Sequence, residues 1–526
     1  MIKRYSAICL ILCICFSLDA QKKPRKKDII PIENLLSIDA YTQAIGQLTI
    51  LQRKYPDDGH LHLLKGICYL NIDYKTDAAI VSLEKAVDEL GMYSERNDHA
   101  IEANYHLAQA YHLTNRFEDA LQILSTLSDT VPKNRTNIHS QIDLYIGYCK
   151  NAIELTSQPV DFRITNLGQA INSEYDEHSP VISGNEDLLM FTSNRLKRSK
   201  KQKNTILPPE DIYTSSWREG SWLPSVTANS NLNTDRYDAT CSLSSDGKTL
   251  IIYRNQGNGD LFISQMDKEW SEPKRLPKPI NSPYEESHAS LSLDGNTIVF
   301  TSDRPNGIGQ KDMYLSKKLP DGTWGKAQLF PESVNTQLNE ESPFLSYDGN
   351  TLFFASEGHS SMGGFDIFKS EKLENGQWSK AQNIGYPINT PGDDLFYIPT
   401  LDGQRVYFAS ERPGGYGRSD IYIIEYPVYD ERSLAVVAGY LFTIDGLPSS
   451  DSEISIHYKE SNAHIGTYKP QRNTGKYTMI LPTGVVYQMT IKTPGKTTIN
   501  RVIEIPYQEN YRSKTGATFL DPMVIK

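Results

Sequence analysis

Five segments between residues 161 and 427 repeat one order of side chains at fixed spacing, and this repetition restricts the possible folds more than any other feature of the chain. Each carries an aliphatic-Asn-Ser/Thr tripeptide, centred on Asn172, Asn233, Asn281, Asn335 and Asn389. Eleven residues after each Asn stands Ser183, Ser244, Ser292, Ser346 or Thr400. Hairpin-type turns follow at Asp246-Gly247, Asp294-Gly295, Asp348-Gly349 and Asp402-Gly403, with Asn185-Glu186 as the degenerate first copy. The next runs, such as Ile298 to Phe300 and Leu352 to Phe354, are continuously apolar, which predicts strands covered on both faces. A further strand begins at each Asp-aliphatic-aromatic tripeptide, from Asp211-Ile212-Tyr213 to Asp420-Ile421-Tyr422. Four strands in roughly fifty residues, repeated five times, predict a β-propeller over residues 161–427.

The repeats also predict how the ring closes. Trp222, Trp270, Trp324 and Trp378 each stand eleven residues before the next central Asn and mark an outer fourth strand, which the fifth copy lacks where it ends at Tyr426-Pro427. Phe162 to Ile171 ends in the same aliphatic-Asn-Ser signature, so this N-terminal strand is expected to complete the fifth blade and remove the exposed sheet edges. The stretches SLDGNTIVFTSDR, from Ser292 to Arg304, and KDMYLSK, from Lys311 to Lys317, resemble the WD40-like repeats of TolB-type periplasmic propellers across all five copies.

Two sets of residues are candidate sites. The position five after each central Asn is acidic in every copy: Glu177, Asp238, Glu286, Glu340 and Asp394. These precede the innermost strands and are expected to ring one mouth of the channel, where converging like charges would attract a cation or a basic peptide segment. A residue repeated in every blade is first a candidate for a structural role, here a carboxylate that satisfies backbone N–H groups at a strand start, and that reading carries the greater weight. The first copy alone has an insertion, residues 196–210, with Lys197, Arg198, Lys200, Lys201 and Lys203. No architectural repeat demands it, so it is a candidate contact loop, against the alternative of a solvated one.

Ahead of the repeats, residues 30–156 read as helical hairpins. Tyr41, Ala44, Ile45, Leu48, Leu51 and Pro56 have the same spacing as Phe117, Ala120, Leu121, Leu124, Leu127 and Pro132: two amphipathic helices, each closed by Pro. With Ala108 and Tyr111 in the preceding helix, the second set resembles a tetratricopeptide repeat. Stacked repeats imply a concave surface for a protein partner, or else a spacer. A last helix is expected from about Asn137 to Leu155, as a cap on the stack.

Residues 1–20 read as a signal peptide, with Lys3 and Arg4 before an apolar run from Ala7 to Phe16 and a small residue, Ala20, at the expected cleavage point. The run is too short to span a bilayer, so no integral span is expected after cleavage. Bulky residues precede Cys13 and Cys15, which ranks lipidation second. Residues 21–29 form a basic tail. Beyond the leader, Cys68, Cys149 and Cys241 are scattered and odd in number, which excludes a disulfide framework. With 54 Lys and Arg against 64 Asp and Glu, the chain has no electrostatic footprint for nucleic acid.

Residues 432–526 change to short alternating strands separated by Asp445-Gly446, Thr474-Gly475 and Pro494-Gly495, predicting a small β-sandwich. The segment around TYKPQRNTGKYTMILPTG resembles the carboxypeptidase-regulatory or transthyretin-like domain, a non-catalytic module. Helical repeats, this propeller and this sandwich, in that order, are similar to PorE-like envelope proteins associated with the type IX secretion system. In those proteins an OmpA-like domain that grips peptidoglycan follows the sandwich. This sequence stops at Lys526, where that domain would begin, so the expectation is an adaptor role through the other three domains without direct cell-wall anchoring.

The chain has no Gly-x-Ser-x-Gly, His-Glu-x-x-His or P-loop motif, and no Cys-x-x-Cys pair outside the leader. The expected function is therefore a non-enzymatic periplasmic adaptor at the outer membrane, without cofactor or metal. Its partners would be envelope proteins, such as outer-membrane secretion components or a separate OmpA-like protein. The alternative is a propeller that binds a glycan or small ligand, and a weaker one is a propeller hydrolase.

Overall fold

The computed structural model describes residues 23–72, 75–91, 97–195, 209–401, 403–426, 434–506 and 518–525. The leader, the five basic residues Lys197, Arg198, Lys200, Lys201 and Lys203, and Asp402 lie outside the described residues. Seven helices occupy the N-terminal region: α1 (Lys26–Leu36), α2 (Tyr41–Gln52), α3 (Gly59–Leu70), α4 (Thr76–Leu90), α5 (Asp98–Leu113), α6 (Phe117–Thr130) and α7 (Thr136–Ser157). The chain divides after Leu107 into two compact units.

In the first unit, successive helices from α1 to α4 pack as neighbours. The predicted stripe of α2 is the buried one: Ala44 and Leu48 meet Leu61, Leu64 and Cys68 of α3. Gly66 lets α3 and α4 approach closely, because a Cβ there would lie 2.4 Å from Leu83 Cγ. The Asp58 carboxylate accepts the Leu61 N–H at 3.0 Å and caps α3.

The second unit begins within α5, at Ala108, and continues through the α6–α7 pair into a large β-rich region. There, five antiparallel sheets follow one another. Sheet I holds Glu177–Ile182, Leu188–Ser193 and Asp211–Arg218, with Ser221–Trp222 and Val226–Thr227 outermost. Sheet II holds Asp238–Leu243, Thr249–Arg254, Asp260–Gln265 and Lys274–Arg275. Sheet III holds Glu286–Leu291, Thr297–Ser302, Asp312–Lys317 and Gln328–Leu329. Sheet IV holds Glu340–Leu345, Thr351–Ser356, Asp366–Glu371 and Gln382–Asn383. In sheet V, Asp394–Pro399, Arg405–Ser410 and Asp420–Glu425 are joined by Arg163–Asn166, which pairs with Glu425 back to Tyr422.

The inner strand of each sheet packs against the inner strand of the next, and that of sheet V against that of sheet I. Apolar side chains fill each junction. Between V and I, Tyr407 and Ile421 meet Ile182, Leu189 and Phe191. The Trp residues sit one step earlier than expected. Trp270, Trp324 and Trp378 form isolated bridges to the end of the third strand, and the outer strand starts four residues later. They mark the hairpin that leads into the outer strand, where an indole covers the junction.

Residues from Leu434 onward form two four-stranded sheets. One pairs Leu434–Thr443 with Lys476–Pro482 and, in parallel, with Thr518–Phe519 and Met523–Ile525. The other has the order His464–Tyr468, Glu453–Tyr458, Val485–Lys492, Ile499–Ile505. Leu441, Tyr477, Ile454 and Met489 share the core between them. Among the described residues no helix is long and apolar enough to cross a membrane.

Candidate functional site

The repeated residues converge on the sheet junctions, and each performs one task there. The central Asn clamps a residue of the neighbouring third strand. Asn281 accepts the Leu261 N–H at 2.9 Å and donates to the Leu261 carbonyl at 2.8 Å. Asn233 does the same to Ile212, Asn335 to Met313, Asn389 to Ile367 and Asn172 to Ile421. An amide can meet one backbone N–H and one C=O together, which is why Asn recurs.

The Ser or Thr after that Asn binds the acidic residue. Glu286 accepts the Ser282 N–H at 2.8 Å and the Ser282 hydroxyl at 2.6 Å, and its own N–H donates to the Gly259 carbonyl of sheet II. The structure buries Glu177, Asp238, Glu286, Glu340 and Asp394 completely, with no exposed surface on any of them. Each accepts from Ser173, Thr234, Ser282, Thr336 or Thr390. An open carboxylate ring at a channel mouth is therefore not what these five form. A strand start has orphaned N–H groups, and the carboxylates turn toward them and away from water.

Four of the five carboxylates also hold a guanidinium: Glu177 with Arg195 at 2.9 Å, Asp238 with Arg254 at 2.5 Å, Glu286 with Arg304 at 2.9 Å and Asp394 with Arg412 at 3.2 Å. Each Arg also donates to the carbonyl of the aliphatic residue before the central Asn: Ile171, Leu232, Ile280 or Ile388. Sheet IV departs from this. Gly358 occupies the Arg position, since a Cβ there would fall 2.3 Å from Thr336 Oγ1. His359 instead reaches the equivalent carbonyl, Val334, at 2.8 Å. Burial with no guanidinium beside it pushes the Glu340 carboxyl up to about 7, against the Thr336 and Ser356 hydrogen bonds.

That same loop of sheet IV receives α7. Tyr148 donates its hydroxyl to the Glu357 carbonyl at 2.8 Å, and Asn151 Nδ2 donates to the Ser361 carbonyl at 2.8 Å. His112 Nε2 lies 2.7 Å from the Met362 carbonyl, and its Nδ1 lies 3.3 Å from Cys149 Sγ. Burial pushes the imidazole down to about 4 and the Cys149 thiol up to about 12. The neutral ring therefore donates to the carbonyl and accepts from the thiol.

A second polar cluster stands beside the inner strands, one and two residues past the repeated acids. Here the residues differ between copies: His178, Ala239, Ser287, Glu341 and Leu395, then Ser179, Thr240, His288, Ser342 and Phe396. Lys311 Nζ lies 2.8 Å from Glu341 and 3.2 Å from Glu285. His288 lies 3.3 Å from Glu341, and His178 lies 3.4 Å from Glu210. Phe396 contacts both imidazoles, with ring centroids 5.9 Å from His178 and 5.1 Å from His288. Burial alone would raise the Glu341 carboxyl, yet His288 and Lys311 hold it down to about 2. Glu210 likewise holds the His178 imidazole above its ordinary value against the effect of burial. Repetition in the sequence gives no sign of this cluster. Its one mark in the sequence is the pair of His, with Glu341, at positions next to the fixed acids that vary from copy to copy. Among the described residues, no group of three His, Cys, Asp or Glu side chains is placed to hold a metal ion.

Comparison with known proteins agrees with the helical reading. A tetratricopeptide-repeat family model matches residues 72–140. No curated protein sequence matches the chain. Among solved structures, similarity extends to a TolB protein from Agrobacterium tumefaciens, at 15% identity over 51% of this chain and 100% of that one, with a TM-score of 0.31. An α-L-arabinofuranosidase from Lactobacillus brevis is 11% identical over 50% of this chain and 93% of that one, with a TM-score of 0.34. A puromycin hydrolase is 12% identical over 65% of this chain and 55% of that one, with a TM-score of 0.28.

Proposed function

We propose that this chain is a non-enzymatic scaffold that holds protein partners in the periplasm, at the outer membrane. One observation carries the reading: the β-region acts as a braced hub. Its repeated Asn and acidic residues are committed to joining neighbouring sheets, while a sheet IV loop takes three hydrogen-bonding contacts from the helical side. Other hairpins hold the C-terminal sandwich, Asn296 Nδ2 donating to the Pro470 carbonyl at 3.1 Å and Lys476 pairing with Asp246. A rigid centre that fixes appended modules suits an adaptor, and a tetratricopeptide-repeat surface suits a protein partner.

We read the five sheets as a five-bladed propeller, closed by the 163–166 strand in sheet V, and the C-terminal sheets as a carboxypeptidase-regulatory-like sandwich. The pairing of Arg163–Asn166 with the third strand of sheet V, and the core that sheets V and I share, support closure. The leader pattern supports export, and the domain order supports a place beside type IX secretion components.

Affinity purification of the tagged chain from gently solubilised envelopes, with quantitative mass spectrometry, tests the reading. Enrichment of outer-membrane secretion components or an OmpA-like protein is the expected result. Recovery of the chain alone would overturn it. A second reading, small-ligand capture, is favoured only by the non-repeated cluster around Phe396, and a saturable glycan interaction lost in a His288→Ala variant would select it.

A further inference from the structure

A turn of the sandwich, residues 470–476, sits across the junction of sheets II and III. Asn296 Nδ2 donates to the Pro470 carbonyl, and the Arg472 N–H donates to Asn296 Oδ1 at 3.2 Å. Lys476 pairs with Asp246, and Asn473 lies so close to Gly322 that a Cβ there would meet its Oδ1. Under this turn is a cleft of about 410 Å³ with Trp324 in its wall.

Because the sheets repeat, the junction of III and IV carries the same parts. Asp294 stands where Asp246 does, Asn350 where Asn296 does, and Gly376 where Gly322 does. The cleft beside them, about 490 Å³, is walled by Trp378, Phe330 and Pro331, the counterparts of Trp324, Leu276 and Pro277. Asn350 is exposed, and Leu329 on the cleft rim is 36% exposed. No turn of the sandwich is bonded to Asn350 or Gly376 among the described residues, whereas the one turn of that type is already seated next door.

We infer that the sheet III–IV junction is a second docking seat, built to take a β-turn of a partner protein. The occupant has the chemistry of the seated turn: a polar hairpin tip that offers one backbone carbonyl and one N–H to the Asn350 amide. It carries a Lys or Arg that reaches Asp294, while the exposed Asp348 stands two residues from Asn350. A small residue at Gly376 leaves room for the tip, and Trp378 supplies the apolar wall. The inference extends the scaffold reading by naming one surface, and its test does not depend on which proteins co-purify.

The probe is a disulfide-cyclised peptide carrying the sequence of residues 468–478, titrated into the full-length chain and read by fluorescence anisotropy. Saturable binding at one site is expected. Asn350→Ala should weaken it about tenfold, the effect of losing one or two hydrogen bonds. Replacing the peptide's Lys476 equivalent by Ala should weaken it similarly. No saturable binding, or binding indifferent to N350A, would overturn the proposal. A chain that sediments as a dimer and becomes monomeric in N350A would also overturn it, because the occupant would then be a second copy.

Discussion

Asn172 and Ile421 are 249 residues apart in sequence, yet the Asn172 amide accepts the Ile421 N–H and donates to the Ile421 carbonyl, both at 2.9 Å. The same clamp recurs at the other four central Asn residues, but only this one joins the start of the β-region to its end. Asn172 is 1% exposed and Ile421 fully buried, so water cannot replace the lost bonds. Asn172→Ala should therefore lower the stability of the β-region by about 2–4 kcal/mol, the cost of orphaning a buried donor and acceptor. Urea unfolding followed by tryptophan fluorescence measures it. A loss below about 0.5 kcal/mol would mean that this junction does not hold the region together.

Glu340 makes the stability of sheet IV depend on pH. Its carboxyl is raised from the ordinary carboxylate range to about 7, by burial first. A raised acid favours the fold fully while protonated in both states, below about pH 4.5, and that contribution is lost as pH rises through about 7. Glu340→Gln should stabilise the protein at pH 8 by on the order of 2 kcal/mol and change little at pH 4.5. The Thr336 and Ser356 hydroxyls can rotate to accept from the new amide. Glu411, raised to about 7 by burial and by Asp393, keeps part of the slope in the variant. Melting temperatures measured across this range give the answer, and a wild type equally stable at pH 5 and pH 8 would contradict it.

The β-region was legible because its repeated residues each satisfy backbone groups in the same way, so one pattern recurs in every copy. The spacing from Asn233 to Asp238, or from Asn389 to Asp394, is the reach needed for the Ser or Thr between them to bind the carboxylate. The direction of those carboxylates was harder to read. Five acids at one strand start resemble a ring until the Arg residues that neutralise four of them are placed, and Arg254 reaches its partner from a different strand position than Arg195, Arg304 and Arg412. The His178, His288 and Glu341 cluster left no repeated signal. The outer strands were offset because Trp270 is buried at a hairpin and not within the strand it precedes.

Lys476 and Asp246 fasten the sandwich to sheet II, with side chains only 14% and 6% exposed. Removing one partner of such a pair leaves the other buried and charged, which typically costs about 3–5 kcal/mol. Asp246 keeps its Ser244 and Lys248 hydrogen bonds, so the hairpin itself persists in a Lys476→Ala variant. What loosens is the seat of the turn. Hydrogen exchange at the Arg472 N–H, which donates to Asn296, should accelerate at least tenfold in K476A while the inner strand of sheet II exchanges as before. Unchanged protection at Arg472 would assign the docking to the Asn296 contacts alone.

His112 gives the helical attachment the opposite pH response to Glu340. Burial holds its imidazole down to about 4, below the ordinary value of 6.5. A depressed base contributes stability in full above about pH 6.5, and the contribution is lost as pH falls through about 4, where the ring must take a proton between the Cys149 thiol and the Met362 carbonyl. Acidification from pH 6.5 to 4 should therefore weaken the seat of α7 on the sheet IV loop while it strengthens the inner strand of the same sheet. The two effects separate in variants. In Glu340→Gln the acid-side loss from His112 should stand out, as faster exchange of the α7 amides near Tyr148 and Asn151 below pH 6. In His112→Phe, which fills the site with a ring that cannot titrate, that acid-side acceleration should vanish while the Glu340 slope above pH 5 remains. Should the two variants respond alike to acid, the His112 ring would not be the group that couples this docking to pH.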